Sequence, residues 1–272
     1  MSFLKEPPHI TVAVETPVSS SDVHVVANLT RWETLVGLAC TEWGGWTSTP
    51  AAAELVLEDV RTCVQEAVDT DRLRDEPPLD RLPPEPRIRT RAMAAPDARD
   101  ALRRATLFAA GRLDRLNEAA AAIYRRGRVR VGAAFALFTG WQMVLAQIGA
   151  TQAYLIRGAS VERLAAPPVV PACIAEPGWN TEVYPDRLSE LQGSADAVQA
   201  AAERFGAGAD LHPLMLLRAL QPGDRVLLGG IAFLDDDILA AAGAAQEIGA
   251  AAQEVAARGS APAVMLADIR ER

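Results

Sequence analysis

Cysteine and histidine are scarce, with three of each in 272 residues. Cys40, Cys63 and Cys173 stand far apart without a CxxC pair, and His9, His24 and His212 are equally scattered. Zinc sites draw on closely spaced clusters of these residues, so none is expected. An odd, dispersed set of cysteines fits buried free thiols in a reducing compartment. Long apolar runs are missing too: nothing approaches the roughly 20 residues of a membrane span. The opening stretch MSFLKEPPHITVAVETP lacks the apolar core of a secretory signal. A cytoplasmic location is the expectation. Positive charge is in deficit, 27 Lys and Arg against 35 Asp and Glu, for a net charge of −8. That balance argues against nucleic acid or an anionic membrane as the main partner. The basic run YRRGRVRV at 124–131 reads as a helix end followed by an exposed strand face. Catalytic signatures are absent as well. No P-loop or dinucleotide fingerprint occurs, and neither Ser19–Ser21 nor Ser260 has a His/Asp relay, with His24 and His212 each alone.

The composition that remains, 50% hydrophobic and 23% charged, suits a globular chain with a sizeable core. HITVAVE, DVHVVANL and ETLVGLAC read as strands within the first 50 residues. From Ala51 to Val68, Ala53, Val56, Val60, Cys63 and Ala67 recur at helical spacing. Residues 69–95, rich in proline and charge, predict a surface loop. A second helix is predicted over 97–126, with Leu102, Ala105, Ala109, Leu113, Leu116, Ala120 and Ile123 on one face. RVRVGAAFALF, WQMVLAQIG, QAYLIRG and SVERLA then follow as short apolar segments separated by glycine turns, the pattern of an antiparallel meander. A Pro-rich irregular stretch at 166–186 precedes a helix at about 187–204 and the turn-and-strand segment LQPGDRVLLGGIA. One long Ala-rich helix, LDDDILAAAGAAQEIGAAAQEVAARG, and a closing strand, APAVMLADI, complete the chain. Segregated runs of strands and helices predict a single α+β domain over 1–272, with sheets packed together and helices outside.

The corner ACTEWGGWTSTPAAAEL joins a strand to a helix through Gly44-Gly45, with Thr49 and Pro50 as helix-start residues. GLACTEWGGW resembles the strand and V-A-D-G-M-G-G corner of the metal-dependent protein phosphatases, the PPM family of type 2C serine/threonine phosphatases. VLAQIGATQAYLIRGASVERLA is similar to that family's A-N-V-G-D-S-R-A-Y-L meander. LQPGDRVLLGGIAFLDDDILAA is similar to L-x-P-G-D-R-L-L-L-C-S-D-G-L-x-D, and ARGSAPAVML to G-S-x-D-N-x-T-V. These segments keep the family's order from about Leu35 to the C-terminus. The resemblance implies a four-layer sandwich, two antiparallel β-sheets flanked by helices. It also implies aspartates at the sheet edge that hold two Mg²⁺ or Mn²⁺ ions, which activate a water for attack on a phosphoryl group.

The departures fall on the chemistry. Thr41 stands at the metal-bridging aspartate and Glu42 at the glycine after it. Ile231 stands at the S-D-G aspartate, and Pro262 at the final D-N aspartate with Ala263 beside it. Gly149-Ala150-Thr151-Gln152 replaces G-D-S-R, and Asp22 is the only remnant of the N-terminal motif. Side chains of Ile and Pro offer Mg²⁺ no oxygen. The expectation is a pseudophosphatase that holds no metal, has no catalytic residue and works by binding a protein of a kinase or phosphatase pathway. Trp43 and Trp46 in the corner are the partner-binding candidates, and exposed aromatic residues there would favour homo-oligomers. The alternatives are a divergent Mn²⁺ or Mg²⁺ phosphatase using Asp22, Glu42 and one of Asp235–Asp237, or a small-molecule pocket without chemistry. Asp235–Asp237 otherwise read as a helix N-terminus, and Asp224 as a turn residue.

Overall fold

Period-two and fully apolar runs in the sequence become ten strands, and the periodic segments become helices. The computed structural model describes residues 6–16, 23–42, 51–74, 91–124, 129–149, 151–164, 211, 213–229, 236–258 and 263–271. Five strands form a first sheet in the order β1 (His9–Glu15), β10 (Val264–Arg270), β9 (Asp224–Gly229), β6 (Gln152–Arg157) and β7 (Ser160–Arg163). Five more form a second sheet: β2 (Val23–Asn28), β3 (Glu33–Glu42), β4 (Arg130–Thr139), β5 (Gln142–Ile148) and β8 (Leu214–Ala219). Every pairing is antiparallel.

Both faces of each sheet are covered, so the core has three sections. Val36, Leu38, Ala134, Ala136, Phe138 and Leu145 of the second sheet meet Leu155, Val226, Leu228, Met265 and Ala267 of the first. The outer face of the second sheet buries Leu35, Phe135 and Leu137 under α1 (Ala51–Arg74) and α2 (Ala95–Tyr124). The outer face of the first buries Tyr154, Leu227 and Leu266 under α3 (Asp236–Ala244) and α4 (Ile248–Arg258). This is the four-layer α+β sandwich expected. Strands buried on both faces lose the polar alternation of a half-exposed sheet, which is why LVGLAC and VGAAFALF read as continuous apolar runs.

Several boundaries depart from the sequence reading, each for a local reason. α1 runs on through Arg74, six residues into the stretch expected to be a loop. DTDRLR contains no glycine or proline, and the Gln65 amide donates to Asp69 Oδ1 while Thr70 Oγ1 donates to the Glu66 carbonyl. The buried stripe of α1 centres on Val56, Val60, Val64 and Val68, leaving Cys63 on its half-exposed flank. α2 begins at Ala95. Its expected apolar face holds at Leu102, Ala105, Ala109 and Leu113, but Leu116 is 48% exposed and Asn117 is buried beside it. The meander is instead two hairpins in different sheets: β4 pairs with β5, and β6 with β7, while β5 and β6 are joined by a corner at Gly149, whose φ is 74°. β8 was not expected at all, because LMLLRA is a short apolar run that periodicity cannot assign. The helix expected at about 187–204 lies outside the described residues.

The Ala-rich segment is broken into α3 and α4 rather than forming one helix. The Arg225 guanidinium donates to the carbonyls of Ala242 and Gly243 in the last turn of α3, and the Ala245 amide closes the final turn onto Ala241. A cation at this end also offsets the negative pole of the helix. Gly243 lets α3 seat on the first sheet, since a Cβ there would lie 2.7 Å from Ile156 Cγ2 and 2.9 Å from the Gly158 carbonyl oxygen.

Two polar clamps hold the frame. Asp224, as expected, belongs to the turn before β9; it is fully buried, accepts the Gln221 amide at 2.8 Å and takes a two-point hydrogen bond from Arg157 at 2.7 and 2.8 Å. Glu33, also fully buried, accepts the Met93 amide at 2.7 Å and the Thr30 hydroxyl, while Thr139 Oγ1 donates to the Met93 carbonyl at 2.6 Å. The chain entering α2 is thus fixed to paired residues of β3 and β4. Replacing Asp224 by Ala removes the acceptor of three hydrogen bonds; urea unfolding is expected to show a loss of about 2–4 kcal/mol. Gly37→Ala places a Cβ 2.7 Å from Phe135 Cδ1 and is expected to cost about 1–3 kcal/mol by overpacking in the same assay.

Candidate functional site

The Gly149 corner sets which ends of the two sheets coincide. Ile148 closes β5 and Gln152 opens β6; across the ladders Ile148 pairs with Ala133, and Gln152 with Gly229. The end of β3, the start of β4, the end of β9 and the start of β10 therefore gather at one end of the sandwich. β3 reaches it with Thr41 and Glu42, whose register partners on β4 are Val131 and Arg130. β9 stops at Gly229, two residues before Ile231, and β10 starts at Val264, two residues after Pro262. β2 starts at Val23, directly after Asp22. The described strand ends that adjoin the motif positions thus lie at one end of the sandwich. Asp22, Trp43, Trp46, Ile231 and Pro262 themselves lie outside the described residues. Of the acidic triplet, Asp236 and Asp237 open α3, in keeping with the helix-start reading.

A polar cluster that the sequence reading left unassigned lines the corner. Gln147, Thr151 and Gln152 are all buried. The Gln147 amide donates to the Thr151 carbonyl, Thr151 Oγ1 donates to the Ile148 carbonyl at 3.3 Å, and the Tyr154 hydroxyl donates to Gln152 Oε1. Gln147 Oε1 and Gln152 Nε2 are buried without a hydrogen-bond partner among the described residues. These groups are neutral, so the corner carries polarity without charge. The signal was present in the sequence as polar residues in the apolar segments on either side of Gly149, yet only the folded chain brings Gln147 to Thr151. Nearby, Asn117 of α2 joins the lead-in to β4 through both amide atoms: Nδ2 donates to the Val129 carbonyl at 2.8 Å and Oδ1 accepts the Val129 amide at 2.9 Å.

Among the described residues no group of three or more His, Cys, Asp or Glu is placed to share a metal ion. His9 and His24 are exposed on separate strands. Cys40 is buried in β3, and burial pushes the Cys63 thiol above its ordinary pKa, with the Glu66 and Asp59 carboxylates adding to the shift. A thiol so shifted carries little thiolate at neutral pH and is a poor nucleophile. No helix of the described residues is long and apolar enough to cross a membrane.

No protein-family model matches the sequence, and a search of curated proteins finds no match. Solved structures do match the fold. The Mycobacterium tuberculosis serine/threonine phosphatase PstP aligns over 97% of this chain and 99% of its own, at 18% identity and a TM-score of 0.59. PppA, a regulatory component of the type VI secretion system in Pseudomonas aeruginosa, aligns over 97% and 99%, at 14% identity and a TM-score of 0.62. The PPM Ser-Thr phosphatase MsPP of Mycobacterium smegmatis aligns over 97% and 98%, at 16% identity and a TM-score of 0.57. The PstP catalytic domain has also been solved with two manganese ions. Strand order, layers and full-length coverage agree: this chain has the fold of the PPM-type serine/threonine phosphatases.

Proposed function

We propose that this chain is a catalytically inactive PPM-type phosphatase-like domain that acts in the cytoplasm by binding a protein of phosphorylation signalling. The observation that carries the reading is a mismatch between fold and donor set. The strands that would present metal ligands meet at one end, but the residues at the ligand positions are Thr41, Ile231 and Pro262. A hydroxyl, a branched alkyl group and a pyrrolidine ring do not supply the anionic oxygens that draw Mg²⁺ or Mn²⁺ out of water. Glu42 adds one carboxylate, and its register partner is the cationic residue Arg130. The set does not suit a two-metal centre, so no phosphoryl-transfer step is derived through one.

Protein binding is the use that the tryptophans of the corner favour. Trp43 and Trp46 follow directly on β3, and tryptophan is enriched among the residues that dominate interface energy. The rival reading is a divergent Mn²⁺ or Mg²⁺ phosphatase built on Asp22, Glu42 and an aspartate of 235–237. It is favoured by Glu42, which closes β3 at the end where the strands gather. Hydrolysis of p-nitrophenyl phosphate separates the two. The expected outcome is no Mn²⁺-dependent turnover above a heat-treated control, and turnover that falls on Glu42→Gln contradicts the proposal. In affinity capture from the native host, Trp43→Ala and Trp46→Ala are expected to lose a partner that the parent retains. An unchanged set of partners would remove the corner from the binding surface.

A further inference from the structure

A second recess lies at the opposite end of the first sheet, on its outer face. Val264 and Leu266 face α3 and α4, and the strand alternation puts Asp268 and Arg270 on that same face. On β9, Leu227 fixes the same facing for Arg225. Between these residues and the end of α3 is a cavity of about 200 Å³. Its walls include Gly158, Gly223 and Gly243. At Gly158 and Gly223, which have positive φ, an added Cβ would find nothing within 4 Å, so both glycines border open space. A buried water needs only about 10–15 Å³ of such space; this recess has room for a polyatomic ion with its waters.

The charges in the recess do not cancel. Asp268, 4% exposed, faces Arg225 Nε at 3.7 Å and takes two hydrogen bonds from Arg270, at 2.8 and 2.7 Å, both on Oδ2. One carboxylate thus serves two guanidinium groups. Arg225 is nearly buried and is held in place by the carbonyls that end α3, which its charge offsets. Its Nη2 and the Nη1 of Arg270 make no hydrogen bond among the described residues. The 3.7 Å separation of Arg225 and Asp268 is also too long for a direct hydrogen bond. A fixed guanidinium and a half-exposed one border a cavity with an excess of one positive charge. Guanidinium groups suit oxyanions because their N–H groups match the spacing of two oxygens.

We propose that this recess binds a small tetrahedral oxyanion, phosphate or a phosphate monoester, through Arg225 and Arg270. The site is separate from the Gly149 end: it lies at Arg225 and Asp268, where β9 begins and β10 ends, whereas Gly229 and Val264 mark the other end. It does not rest on the proposed function.

The test is calorimetric titration of the full chain with inorganic phosphate at constant ionic strength, set against chloride. Saturable binding is expected, weakened about tenfold or more in Arg270→Gln and unchanged in Arg130→Gln, which removes a cation at the other end. Arg270→Gln also removes both hydrogen bonds to the buried Asp268 carboxylate, so its melting temperature is expected to fall, and the titration is run well below the melting temperatures of both proteins, with circular dichroism showing both folded. A second titration with O-phosphoserine distinguishes the sources of the ligand: tighter binding than phosphate assigns the site to a monoester, equal or weaker binding to the free ion. No saturable signal beyond chloride overturns the proposal, as does equal affinity in Arg270→Gln. Loss of binding in Arg130→Gln instead would assign the ion to the other end of the molecule and overturn it too.

Discussion

The structure depends on burying strands on both faces. β3 and β4 have helices on one side and the first sheet on the other, so each consecutive residue must pack whichever way it points. Small residues make this work. Gly37 leaves room for the Phe135 ring, and Ala133, Ala134 and Ala136 let both neighbouring layers approach β4. Tight packing of that kind tolerates little adjustment in either direction. It is also why the ends of the strands are fixed in space, and why those ends can carry a site whatever residues occupy it.

Fold and chemistry separate at that point. The glycine corner between β5 and β6, the Asp224 turn before β9 and the Arg225 cap on α3 are all structural devices, and all are kept. None of them touches a reacting group. In the sequence, the positions that would do chemistry stand at or next to strand ends: Thr41 in the last two residues of β3, Ile231 two residues after β9 and Pro262 two residues before β10. A chain can change those residues and lose a metal site while the sandwich is untouched, because the interior that stabilises it lies elsewhere. The polar cluster of Gln147, Thr151 and Gln152 shows the same logic at the corner itself, where neutral amides satisfy part of the buried polarity.

What the sequence made legible follows from range. β1 was readable over His9–Glu15 from apolar residues and its flanking prolines, and the turn at PGDR from its own chemistry. The order of helices and strands, together with the motif resemblance, led to the four-layer sandwich. Local signals failed where a distant contact decides. The split of α3 from α4 goes with Arg225, which lies outside both helices. The assignment of β5 and β6 to different sheets depends on partners, β8 and β9, that come late in the chain. Leu116 is exposed and Asn117 buried because Val129 offers Asn117 two backbone partners. At the candidate site, the strand was expected to stop at Cys40 with Thr41 and Glu42 in the bend, but pairing with Val131 and Arg130 carries β3 on through both, and the buried glutamines became visible only with the tertiary structure.

The proposed inactivity turns on whether the end of the sandwich at Thr41 and Glu42 binds a metal ion. Calorimetric titration of Mn²⁺ into the purified chain at neutral pH, beside an active PPM phosphatase, tests it most directly. No saturable heat is expected from this chain under conditions where the active enzyme binds. Saturable binding that is abolished by Asp22→Ala or Glu42→Ala would contradict it.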